Sequence, residues 1–64
     1  MKSYRIYLLG HDGRVSLGEA IEAPSDRDAA RLAASLAPKG QDCELWDGGR
    51  LVGRFSKAGV FIAT

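Results

Sequence analysis

"APSDRDAARLAASLAPKG", residues 23–40, departs in both period and composition from the segments on either side, and its reading decides the fold. Ser25 stands where an N-cap belongs, and Asp28 stands at N3 to reach back as in a capping box. Asp26 and Asp28 place negative charge at the positive end of the helix dipole. Ala29, Leu32, Ala33 and Leu36 recur at i, i+3, i+4 and i+7, so the spacing predicts a helix from Asp26 to Ala37 with those four on its buried stripe. Pro38 and Gly40 end it, and its many alanines let the axis approach a sheet closely.

Both flanks read as hairpins. Upstream, "YRIYLL" (4–9) runs into Asp12-Gly13, a strong turn signal, and "RVSLGEAIEA" (14–23) returns with Val15, Leu17 and Ile21 at period two. Downstream, "DCELW" (42–46) and "RLVGRFS" (50–56) flank the turn letters Asp47-Gly48-Gly49. The expectation is a single α+β domain over residues 1–64. It is a four-stranded antiparallel sheet of ββαββ pattern, strand order 2-1-3-4, with one helix packed on one face. The tail "KAGVFIAT" (57–64) finds no place in it, because Val60, Phe61 and Ile62 are too apolar for water while Lys57-Ala58-Gly59 interrupts the last strand.

Register assigns the faces, since a slip of one residue turns every side chain over. An even first loop, Asp12-Gly13 alone or Gly10 to Gly13, aligns Tyr4, Ile6 and Leu8 with Val15, Leu17 and Ile21. An odd second loop of Asp47, Gly48 and Gly49, with Gly49 left-handed at a bulge, groups Cys43, Leu45, Leu51 and Phe55 and keeps Arg54 out of the core. The helix then covers Ile6, Leu8, Val15, Leu17, Leu45, Leu51 and Phe55. The opposite, open face carries Arg5, Tyr7, Leu9, Trp46, Arg50, Val52 and Arg54, beside Ser16 and Glu44.

Composition narrows the classes of function. Nine basic and eight acidic residues give a net charge of +1, so no global field draws in nucleic acid or an anionic membrane. The opening "MKSYRIYLLG" is broken by Arg5 and too short for a secretory core, and no stretch approaches the ~20 apolar residues of a membrane span, which predicts a cytoplasmic protein. One cysteine makes no internal disulfide, and no Cys/His spacing suggests a metal or cofactor. His11 reads as a loop residue, Cys43 as a small buried hydrophobe, and the carboxylates Glu19, Glu22, Asp26 and Asp28 as residues around a helix start, so no catalytic set emerges.

"YRIYLLGHDG" and "ELWDGGRLVGRF", with the capped alanine-rich helix between them, resemble a group of short uncharacterised bacterial proteins of ββαββ pattern. That resemblance implies the fold and no activity. Without a disulfide or a metal, so short a chain gains from association. Tryptophan, tyrosine and arginine are residues that binding hot spots favour. The expectation is therefore a non-enzymatic module that binds a protein partner or forms a homodimer through the open face. The alternative is a weak nucleic-acid-binding module using the same aromatics and arginines, disfavoured by the absence of an RNP-type run and by Glu44.

Overall fold

A computed structural model describes residues 1–10 and 14–64, and for Leu17 the backbone alone. The elements run β1 (Lys2–Leu9), β2 (Val15–Ala23), α1 (Asp26–Leu36), β3 (Asp42–Asp47), β4 (Arg50–Phe55) and β5 (Phe61–Ala63). They form an α+β fold with one antiparallel sheet in the order β2-β1-β3-β4-β5. Among the described residues the expected sheet of four strands is thus corrected to five. Lys57-Ala58-Gly59 does not interrupt a strand but turns the chain, with Gly59 at φ +86° and Ser56 N–H donating to Val60 O at 2.9 Å. The tail then pairs with β4, Phe55 opposite Phe61 and Gly53 opposite Ala63.

Both loop parities differ from expectation, and for the same reason. In the second hairpin Asp47 pairs with Arg50, leaving a two-residue loop in which Gly48, at φ +59°, takes the first position as a type II′ turn requires. The extra residue sits inside β4 instead. Trp46 faces Leu51 and Leu45 faces Gly53, so Val52 is bulged between them. Beyond the bulge Cys43 faces Phe55 and Glu44 faces Arg54, which keeps Arg54 out of the core. In the first hairpin the tip, including His11 and Asp12-Gly13, lies outside the described residues. Leu9 pairs with Val15, however, and Gly10 N–H donates to Arg14 O at 2.8 Å, a register of odd rather than even parity. A bulge corrects it at Gly18, since Arg5 pairs with Ala20 but Tyr7 with Leu17. A Cβ on Gly18 would stand 2.8 Å from Ile6 O, so this close approach needs glycine.

Each bulge turns over the part of the strand nearest its turn. Val15 therefore pairs with Leu9 rather than joining the helix side and is 58% exposed, and the Leu17 backbone pairs with Tyr7. Leu51 moves out beside Trp46 while Val52, only 7% exposed, moves into the core. The buried layer comprises Tyr4, Ile6, Ile21, Cys43, Leu45, Val52 and Phe55 with Ala23, Ala29 and Ala33.

Ser25 caps α1, accepting from Asp28 N–H at 3.3 Å, and the chain leaves helical geometry at Ala37, ahead of Pro38. Only Ala29 and Ala33 of the expected stripe are buried, whereas Leu32 and Leu36 are 46% and 47% exposed. The helix turns its alanines to the sheet, and the leucines beside them stay about half exposed. No helix of the described residues is long and apolar enough to cross a membrane.

Candidate interaction face

Alternation along β1 sends Arg5, Tyr7 and Leu9 to the side away from α1, and the register of β3 brings Trp46 opposite Arg5 and Glu44 opposite Tyr7. The Tyr7 and Trp46 rings meet edge to face, with centroids 6.3 Å apart and planes at 89°, a geometry aromatic quadrupoles favour. Trp46 Nε1–H donates to Glu44 Oε1 at 3.2 Å, and Glu44 Oε2 holds Arg54 Nη2 at 3.0 Å. This chain of contacts fixes the indole against the sheet. Tyr7, Val15, Glu44, Trp46 and Gly48 line a shallow depression of about 320 Å³.

Of the seven residues expected on this face, Arg5, Tyr7, Leu9, Trp46 and Arg54 are there, and Arg50 and Val52 are not. The two-residue loop and the bulge carry both to the helix side. Leu51, paired with Trp46, and Ile62, paired with Arg54, take their places on the open face. A glycine within "RLVGRF" was the available signal for an irregular strand, and the apolar tail was the signal for another.

On the helix side Arg50 completes a cluster that sequence reading missed. Its guanidinium donates to both oxygens of Asp26, at 2.9 and 3.0 Å, and to Asp47 Oδ2 at 2.9 Å. The buried Tyr4 donates its hydroxyl to Asp26 Oδ1 at 2.7 Å, and Lys2 Nζ reaches Asp47 at 3.4 Å. Hydrogen bonds from Arg50 and then Tyr4 hold the Asp26 carboxyl down at about 2. Burial, and then the bond to Asp26, pushes the Tyr4 phenol up to about 12. Arg50 likewise lowers Asp47. Groups driven so far from neutrality are poor general acids and bases, and the cluster reads as a clamp joining the start of α1 to β1 and the β3–β4 turn.

Cys43 is buried, with burial raising its thiol, and its Sγ lies 3.7 Å from Gln41 O. Among the described residues no group of three or more His, Cys, Asp or Glu side chains is placed to hold a metal ion. No protein-family model, no curated protein and no solved structure matches the chain.

Proposed function

We propose that this chain is a non-enzymatic protein-interaction module that associates with a second copy of itself through the open face of its sheet. The observation that carries the reading is the Tyr7–Trp46 pair, set beside Leu9, Leu51 and Ile62 on a face that no other described element covers. Apolar patches with aromatic centres are what binding surfaces bury. A two-fold interface sets one patch against itself, and a patch that holds both signs of charge, as this one does with Arg5, Glu44 and Arg54, avoids facing like charge with like. The same pairing weighs against nucleic acid, because Glu44 already neutralises Arg54 and would oppose phosphates.

Sedimentation or light scattering across protein concentration tests the reading. The parent is expected to approach dimer mass, and Trp46→Ala to weaken association by about 2 kcal/mol or more. A parent that stays strictly monomeric up to about 1 mM would refute self-association.

A further inference from the structure

We infer that the groove between α1 and the β4–β5 end of the sheet is a docking site for an acidic amphipathic helix from a protein partner. It lies on the opposite side of the sheet from the Tyr7–Trp46 face and does not depend on that reading. Five strands at ~4.8 Å spacing make a surface about twice as wide as the ~10 Å of one helix. On the β4–β5 side of α1, no second helix among the described residues covers the helix-side surface. What remains is a groove of about 580 Å³ lined by Phe61 and Ala63, with the buried Val52 and Phe55 beneath them.

Two features of the α1 wall select the occupant. Ala30 and Ala34, one turn apart on the groove side, are small enough to let a second helix pack close alongside. Arg27 and Arg31, also one turn apart, line the same groove, and neither has an ion-pair partner among the described residues. Arg50, at the groove's end, is already held by Asp26 and Asp47, so the cations left for a ligand form a single row along one helical flank. A helix lying in the groove would set carboxylates at i and i+4 against that row, with its apolar residues on the floor.

Two synthetic amphipathic helical peptides, identical except for Glu or Lys along the polar flank, test this by amide shift perturbation. The acidic peptide is expected to bind at least about tenfold tighter than the basic one. Its shifts should centre on Ala30, Arg31, Val52 and Phe61, and the double variant Arg27→Glu/Arg31→Glu should reverse the preference at unchanged Tm. The proposal is overturned if neither peptide binds up to about 1 mM, if both bind equally, or if the shifts map to Tyr7 and Trp46. It is overturned in favour of a small amphiphile if dodecanoate fills the groove and the acidic peptide does not compete. Groove shifts on self-dilution of the parent without peptide would assign the groove to a second copy instead.

Discussion

Gly53 shows how one absent side chain positions a strand. The Phe61 ring lies over Gly53, where a Cβ would overlap the ring and stand 2.7 Å from Ile62 O. Gly53→Ala is therefore expected to cost about 1 to 3 kcal/mol in urea melts and to lower amide protection in β5 first; an unchanged midpoint with β5 still protected would contradict the packing. Asp26 and Tyr4 give the fold opposite responses to acid and base. Asp26 titrates at about 2 in the fold against 3.8 when free, so its contribution is complete above pH 4 and is lost as pH falls toward 2. The Tyr4 phenol is raised from 10.0 to about 12, so its contribution is complete below pH 10 and is lost as pH rises through 12. Melting temperatures across both windows check this. Arg50→Met should flatten the acid limb by removing the main cause of the low Asp26 value, and Tyr4→Phe should eliminate the late phenolate absorbance.

Side chains of similar chemistry diverge once elements pack. Leu45, central in β3, is fully buried, and Leu45→Ala is expected to cost about 2 to 5 kcal/mol. Leu32→Ala and Leu36→Ala, at half-exposed positions of α1, should each stay within about 1 kcal/mol of the parent, and equal losses at all three sites in urea melts would contradict the placement of the helix. The helix itself was legible, because Ser25, Asp28 and Pro38 act through local geometry that neighbouring letters specify. The inner faces of Tyr4, Ile6, Cys43, Leu45 and Phe55 were legible for the same reason, as alternation is local. The facing of Val15, Leu51 and Val52 was not. A bulge is chosen by cross-strand partners, and Gly18 and Gly53 signal only that something close approaches. The extra residues lie within the strands and not in the loops, which puts Arg50 and Val52 on the helix side.

Taken whole, the molecule has two unlike faces, an aromatic one of mixed charge and a helix-covered one with a basic-rimmed groove. If the aromatic face forms the dimer, raising salt from about 50 to about 200 mM should change its dissociation constant by less than ~3-fold, whereas phosphate binding would weaken by orders of magnitude. Titration at both salt levels distinguishes them. The ladder between β1 and β3 has a further consequence. Each hairpin closes between neighbours in sequence, but this central seam joins the two halves of the chain with α1 threaded between them. Hairpins form in about 1 to 10 μs, while the seam must bear the entropy of closing the long connection before it gains any contacts. Refolding should therefore be limited by zipping the seam. Leu45→Ala is expected to slow it in a chevron plot, while Phe61→Ala, at the late-docking margin, should mainly accelerate unfolding.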